Sequence, residues 1–169
     1  MISQIFYSGP SIEILHEQYA KQGRIDEMSP VKTATDIYIE APVEQVWEQL
    51  IKLVDWPTID PSFRNVHLES TVKVDASFKF VLNNFPIRAK FAVVTPNREL
   101  TWTGVSLWFK AVDVHRLEQT NDGGTRLYSA ESFAGFMGSL FVSSEQLQKQ
   151  HDKWLIAFKQ AIENRDKKF

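Results

Sequence analysis

The feature that most constrains the fold is a long stretch, Arg64 to Phe133, that predicts strand after strand with no helical pattern between them. The candidate strands cover residues 64–71, 77–83, 87–95, 98–105, 107–119 and 125–133. Asn121-Asp122-Gly123-Gly124 is a strong hairpin signal between the last two. Because hairpins join neighbouring strands in opposite directions, the sequence predicts an antiparallel sheet.

One long amphipathic helix is predicted after the last strand, from about Leu140 to Asn164. Its apolar stripe consists of Leu140, Leu147, Trp154, Leu155, Phe158 and Ile162, with Ser144 and His151 on the same face. A helix with one apolar face needs a concave partner, which a twisted sheet provides. The predicted fold class is therefore α+β: a curved antiparallel β-sheet of six to seven strands wrapped around a long C-terminal α-helix.

The chain before this stretch predicts one more strand and two short helices. Thr33 to Glu40 alternates as a strand does, and a helix begins at Pro42. The sequence Trp56-Pro57 ends that helix and starts a turn or a short irregular helix. We interpret residues 33–169 as a single domain.

Residues 1–32 are interpreted as an N-terminal extension. Ser11 is placed to cap a short helix, and Gly23 is placed to end it. Such a helix is too short to be stable alone in water. It must dock on the domain, dock on a partner, or not form.

Composition excludes several functional classes. The net charge is −2 and the pI about 6.1, whereas nucleic-acid binders have a basic face and a high pI. The absence of cysteine excludes disulfides, thiolate metal sites and cysteine nucleophiles. No apolar run is long enough to span a bilayer, and the N-terminus is a poor signal peptide. We expect a cytoplasmic protein.

Four stretches carry a resemblance to a known family. They are Ile39-Glu40-Ala41-Pro42-Val43-Glu44-Gln45-Val46-Trp47, then Asp55-Trp56-Pro57, then Pro96-Asn97-Arg98-Glu99-Leu100-Thr101-Trp102-Thr103-Gly104, and finally Gly123-Gly124-Thr125-Arg126-Leu127 with Glu131-Ser132-Phe133-Ala134-Gly135. Over residues 33–164 the chain resembles the START-like (SRPBCC, Bet v 1-related) superfamily. Within it, the chain is similar to the polyketide cyclase/dehydrase and lipid-transport group.

The resemblance implies a helix-grip fold but not one activity, since the family spans enzymes, carriers and ligand sensors. It usually has a histidine at the position of Asp113 and an aromatic residue at that of His115. This chain departs from that pattern, which puts a mechanism based on that histidine in doubt.

Strand alternation predicts which side chains face the interior. In 107–119, the face with Asp113 and His115 is placed inward, because the other face carries the charges. Glu131 and Trp102 are placed inward on their strands. In 87–95 the inward residues are Ile87, Ala89, Phe91 and Val93.

These faces predict an internal ligand site between sheet and helix. The candidate ligand-binding residues are Phe78, Phe80, Phe91, Trp102, His115, Leu117, Glu131, Phe133, Leu147, His151, Trp154 and Phe158. The candidate polar groups are Asp113, His115, Glu131, Ser144 and His151, and all but Ser144 are also catalytic candidates. Apolar walls with a few polar groups are typical of small-molecule sites. For most of the aromatics, plain core packing is the competing interpretation, and for Glu131 it is a structural hydrogen bond.

Three functions stay open at this point. The first is a carrier or sensor that binds a small hydrophobic molecule, such as a lipid or polyketide-like metabolite, in a cavity of roughly several hundred Å³. The second is a cyclase or dehydratase that pairs His115 or His151 with Glu131 or Asp113. The third is a protein-interaction module that uses residues 1–32. No cofactor or metal is predicted, since the four histidines lack zinc-protease spacing and no phosphate-binding glycine loop occurs. A sheet face with exposed Val112 and Val114 would permit a homodimer.

Overall fold

The structure is a computed structural model that describes residues 6–136 and 138–165. Seven strands form one antiparallel sheet in the order β1-β7-β6-β5-β4-β3-β2. Their bounds are β1 Val31–Ile39, β2 Phe63–Leu68, β3 Ser77–Leu82, β4 Phe85–Thr95, β5 Glu99–Ser106, β6 Phe109–Gln119 and β7 Thr125–Ala134. The first strand of the chain pairs with the last, and β1 and β2 form the two edges of the sheet.

Four α-helices follow β1 within the described residues: α1 Val43–Ile51, α2 Trp56–Ile59, α3 Gly138–Phe141 and α4 Ser144–Glu163. The prediction of one helix from Leu140 is wrong at its start. Ser143 has extended backbone and accepts a hydrogen bond from the Gln146 backbone N–H, while the Gln146 side chain accepts one from the Ser143 N–H. This reciprocal cap begins a new helix. Leu140 consequently lies outside the apolar stripe and is 56% exposed.

Helix α4 lies against the inner face of the sheet. Its buried residues are Leu147, His151, Trp154, Leu155, Phe158 and Ile162. Its neighbouring polar face bonds to β1, where the Thr33 hydroxyl donates to Gln148 and the Thr35 hydroxyl donates to Asp152. Two strand residues and one helical turn both advance by about 6 Å, so these bonds set the level of the helix along the sheet.

The N-terminal helical segment, which we define as residues 12–22, docks on the outer face of the sheet. Leu15 and Ala20 are buried there with Ala92, Val112 and Val114. The His16 ring lies 2.8 Å from the Thr103 hydroxyl and 2.9 Å from the Asp75 carboxylate. The expectation that Val112 and Val114 are exposed is therefore wrong, because the chain covers this face itself.

The predicted alternation is correct along β5, β6 and β7 and fails at one point in β4. Phe91 pairs with Trp102, but the next paired residue is Val93, opposite Thr101, so the register shifts there. This bulge turns Ala92 to the outer cluster and lets Val94 pack against the inner core. Val93 thus takes the position opposite to the one predicted.

Candidate functional site

The inner face of the sheet is organised in rows of directly opposed residues. One row runs Phe91, Trp102, Asp113, Glu131 and Thr33. The next row towards α3 runs Ala89, Gly104, Ala111, Phe133 and Val31. On the other side, Leu100, His115, Ser129 and Thr35 are aligned. Four of the predicted polar groups therefore lie together under α4: Asp113 and Glu131 in one row, His115 in the next row, and His151 above Ser129.

One end of the interior is filled by packed aromatic rings. Trp56 is fully buried, and its ring centroid lies 5.4–6.2 Å from those of five neighbours: Phe63, Phe78, Phe80, Trp102 and Trp154. Phe78 stacks on Phe91 at 4.4 Å, and Trp154 lies 5.6 Å from Phe158. At this end the candidate residues Phe78, Phe80, Phe91 and Phe158 contact one another as core. Their role as ligand contacts stays a prediction.

The opposite end is bounded by a second aromatic group. The Phe109 ring lies 4.9 Å from Phe133 and 6.4 Å from Phe141. Gly135 allows this approach, since a Cβ there would lie 2.6 Å from the Phe109 ring. Between the two aromatic ends, the row with Gly104 and Ala111 presents the smallest side chains. Ala111 and Phe133 keep accessible surface although they face inward.

Asp113 and Glu131 face each other across neighbouring strands in this space. They are directly opposed in the β6–β7 register, where Cβ atoms lie about 4.5–5.5 Å apart. Each side chain is half-buried, with part of its surface still accessible. Burial within the protein is nevertheless the largest cause of the pKa shift of each carboxyl. The accessible surface shows that a space at least the size of a water molecule lies beside both side chains. Among the described residues, no ion pair or Lys or Arg hydrogen bond reaches either carboxyl.

Burial raises the pKa of both carboxyls. The pKa of Glu131 rises from 4.5 to about 7. The pKa of Asp113 rises well above its ordinary 3.8, first through burial and then through the charge of Glu131, while a hydrogen bond from the Trp102 side chain acts in the opposite direction. Two carboxyls this close in a medium of low polarity cannot both ionise freely. The pair therefore gives up its protons less readily than two exposed carboxyls would.

Ser129 bridges the two buried histidines. Its Oγ lies 2.7 Å from His115 Nδ1 and 2.9 Å from His151 Nε2. The other two ring nitrogens, His115 Nε2 and His151 Nδ1, have no hydrogen-bond partner among the described residues. No hydrogen bond there joins either ring to Asp113 or Glu131, so the histidine–carboxylate pair expected of an enzyme is not assembled.

Both histidines are neutral near pH 7. Burial lowers the pKa of His115 to about 3, helped by the charge of His151, and burial lowers the pKa of His151 to about 4 against the opposing charge of Asp152. When the Ser129 hydroxyl donates to one ring and accepts from the other, both rings hold the same tautomer, because Ser129 bonds Nδ1 of His115 and Nε2 of His151. One unpartnered nitrogen is then a donor and the other an acceptor.

The remaining predicted polar residue lies elsewhere. Ser144 is exposed, and its hydroxyl accepts from the Lys32 N–H and donates to the Pro30 carbonyl. It is the first residue of α4, beside the edge strand β1, and so the prediction that it lines the interior is wrong. Leu147 is buried at the level of Glu131, because Thr33 both pairs with Glu131 and bonds to Gln148.

Sequence reasoning missed the role of Ser129, although a signal for it existed. The Asn121–Gly124 hairpin centres on Asp122, and equal counting outwards from that residue sets His115 opposite Ser129. Strand alternation also puts Ser129 on the same face as Leu127 and Glu131. Register and alternation together were enough to find the bridge.

Two recesses open on the outer face of the sheet. The larger, about 690 Å³, has charged walls formed by Arg98, Arg116, Arg126 and several acids. The candidate residue Leu117 borders it but is buried in the inner core, as predicted. The smaller, about 300 Å³, lies under residues 23–28 of the extension. Neither is the apolar cavity predicted between sheet and helix.

A possible cation-binding group lies on the outer face but is already neutralised. His16, Glu17 and Asp75 have ligand atoms within 4.8 Å of one another. Lys21 lies 2.9 Å from Glu17 and 3.2 Å from Asp75, and its ammonium supplies the positive charge. These groups fasten the extension to the sheet.

Comparisons with known proteins agree on the fold. No family model matches the sequence, and no curated protein matches it. Among solved structures, Helicobacter pylori protein jhp0584 has a TM-score of 0.71 at 15% identity, covering 80% of this chain and 90% of that one. Ara h 8.0201 has a TM-score of 0.62 at 14% identity, covering 79% and 97%. DynU16, from the dynemicin biosynthetic locus, has a TM-score of 0.63 at 17% identity, covering 78% and 47%.

This chain has the Bet v 1-like helix-grip fold. At such low identities the likeness extends to the fold alone, and the narrower family group stays a prediction. Within the described residues, no helix combines the length and apolar character that crossing a bilayer demands. The expected cytoplasmic location stays a prediction.

Proposed function

We propose that the protein binds a small, largely apolar molecule between the sheet and α4, as a carrier or sensor. The observation that supports the proposal is the pair Asp113 and Glu131, which are directly opposed on the inner face and both keep accessible surface between the two aromatic groups. A fully packed core would not leave Asp113 with only the Trp102 hydrogen bond, and neither carboxyl with a cation among the described residues, because burying such groups is costly. Small-molecule sites combine apolar walls with a few polar groups in this way.

The proposed site has fewer ligand contacts than the sequence predicted. We expect the ligand to contact Ala111, Phe133, Leu147, Asp113 and Glu131. The aromatic rings around Trp56 form the closed end of the site. Fold likeness to Ara h 8.0201 and DynU16 is compatible with this function but does not name a ligand.

An enzymatic role is the second candidate, and the His115–Ser129–His151 bridge favours it. The rings offer one donor and one acceptor close to two carboxyls, which are the groups needed for acid–base chemistry. A bound substrate would have to connect the rings to the carboxyls, since no direct hydrogen bond joins them. The interaction-module interpretation loses its main support, because Leu15 and Ala20 of the extension are buried on the sheet.

Native mass spectrometry of the purified protein tests the binding proposal, followed by solvent extraction and identification of any released compound. We expect a bound apolar compound in the wild type. Ala111→Leu fills the space beside Asp113 and should lower the bound fraction about tenfold or more. Glu118→Leu lies on the outer face of the same strand and is the matched control.

The proposal is contradicted if Ala111→Leu and Glu118→Leu retain the same amount of compound, or if the wild type neither carries a compound nor binds any apolar probe. A compound that the protein releases in chemically altered form would favour the enzymatic role. Incubating the extracted compound with fresh protein distinguishes the two.

A further inference from the structure

The interior contains two carboxyls with no basic side chain beside them among the described residues. Asp113 and Glu131 are opposed at close range, and no Lys or Arg within residues 6–136 and 138–165 influences either carboxyl. The basic residues of the neighbouring strands alternate to the outer face. Lys110 bonds to the Pro10 carbonyl, Arg116 to the Gly23 carbonyl, and Arg126 lies 3.3 Å from Asp36.

The other titratable groups that face this space supply no positive charge. His115 and His151 are neutral near pH 7, and each uses one ring nitrogen to bond to Ser129. On α4, the Asp152 carboxylate already accepts from Thr35 and Gln148. Ionisation of either interior carboxyl therefore leaves a negative charge without a counter-ion in the part of the chain that the structure describes.

We infer that the ligand carries a basic nitrogen, a protonated amine on an apolar body, that binds between the carboxyls of Asp113 and Glu131. This inference rests on the proposed function and names the class of ligand. An ammonium group donates hydrogen bonds to both carboxyls and neutralises the pair. The apolar body would then lie along Ala111 and Phe133, under Leu147.

An ammonium group fits this pair of carboxyls better than a carboxylate, an alcohol or a metal ion would. A carboxylate ligand would place a third negative charge beside the pair, and like charges at short range repel strongly away from water. A neutral alcohol can donate one hydrogen bond but cannot neutralise an ionised carboxyl. A metal ion is not favoured, since Asp113, Glu131 and the histidines do not form a ligand cluster within 4.8 Å in the described chain, as His16, Glu17 and Asp75 do.

The test uses three naphthalene probes of matched size, bearing an aminomethyl, a hydroxymethyl or a carboxylate group. Isothermal titration calorimetry at pH 7.5 measures each dissociation constant with the full-length protein. We expect the ammonium probe to bind about tenfold or more tightly than the alcohol, because hydrogen bonds to charged groups are the stronger ones. The carboxylate probe should bind most weakly.

Glu131→Gln and Asp113→Asn should each remove most of the preference for the ammonium probe while keeping affinity for the alcohol. Both variants remove a buried charge, so both are expected to fold. Glu118→Gln, exposed on the outer face of the same sheet, should leave all three affinities unchanged. The preference should also fall as pH is lowered from 8 to 5, as the carboxyls become protonated.

Equal affinity for the ammonium and alcohol probes overturns the inference and leaves the proposed function intact. Tightest binding of the carboxylate probe overturns it in the same way. Failure of all three probes to bind, together with a wild-type protein that carries no compound, overturns both the inference and the proposed function.

Discussion

At the scale of the residue, the interior polar groups lower the stability of the protein. Glu131 has no cationic partner among the described residues, and burial raises its pKa from 4.5 to about 7. Between these two pH values the unfolded chain releases a proton that the folded protein retains. The stability that protonation preserves is therefore complete below pH 4.5 and is lost as pH rises through 7.

Glu131→Gln should remove this loss. The variant should match the wild type in free energy of unfolding at pH 4 and exceed it by about 3 kcal/mol at pH 8. Urea denaturation at several pH values measures the difference, with Glu118→Gln as an exposed control. A difference that does not change with pH would contradict the burial of this carboxyl.

At the scale of the element, the N-terminal helical segment is a structural part of the sheet. It begins as an α-helix at Ile12–Ile14, continues as a π-helix over Leu15–Tyr19 and ends as a 3-10 turn at Ala20–Gln22. Ser11 caps its start, and Gly23 ends it with a φ of +63°, as the sequence predicted. Of the three outcomes left open for this helix, docking on the domain is the one found.

Leu15→Ala tests this docking. Leu15 is 1% exposed, whereas the adjacent Ile14 is 41% exposed. We expect Leu15→Ala to lower the free energy of unfolding by about 2–4 kcal/mol, as for other buried leucines. Ile14→Ala, the matched control, should cost less than about 1 kcal/mol. Equal effects in urea denaturation would show that the segment is not packed on the sheet in solution.

At the scale of the whole molecule, the interior carboxyls and histidines change the stability of the fold in opposite directions as pH rises. The pKa values of His115 and His151 are lowered from 6.5 to about 3 and about 4. Below pH 6.5 the two histidines therefore bind protons in the unfolded chain but not in the folded protein, and the stability of the fold decreases. The carboxyls, in contrast, make the stability of the fold decrease as pH rises.

These groups together place the highest stability of the ligand-free protein between about pH 4.5 and 6.5. Chemical denaturation from pH 3.5 to 9 measures the profile. His151→Gln should reduce the fall on the acid side, since it removes one of the two rings. A stability that rises steadily to pH 8 would contradict the combined burial of the two histidines and two carboxyls.

The order of elements and the faces of the strands were determined by the sequence alone. Periodicity and turn chemistry are local properties, so the strands from Phe63 to Ala134 and the inward positions of Trp102, Asp113, His115 and Glu131 followed from them. The hairpin at Asp122 also contained the register that sets His115 opposite Ser129. These features need only neighbouring residues to be specified.

Tertiary structure decided the features that depend on distant parts of the chain. Local pattern alone did not identify the bulge that turns Val93 outward, the new helix start at Ser143, or the docking of residues 12–22 over Val112 and Val114. It also could not divide the aromatics between a packed core around Trp56 and a space beside Glu131. That division depends on how side chains from sheet and helix fill one volume, which packing in three dimensions sets and sequence spacing does not.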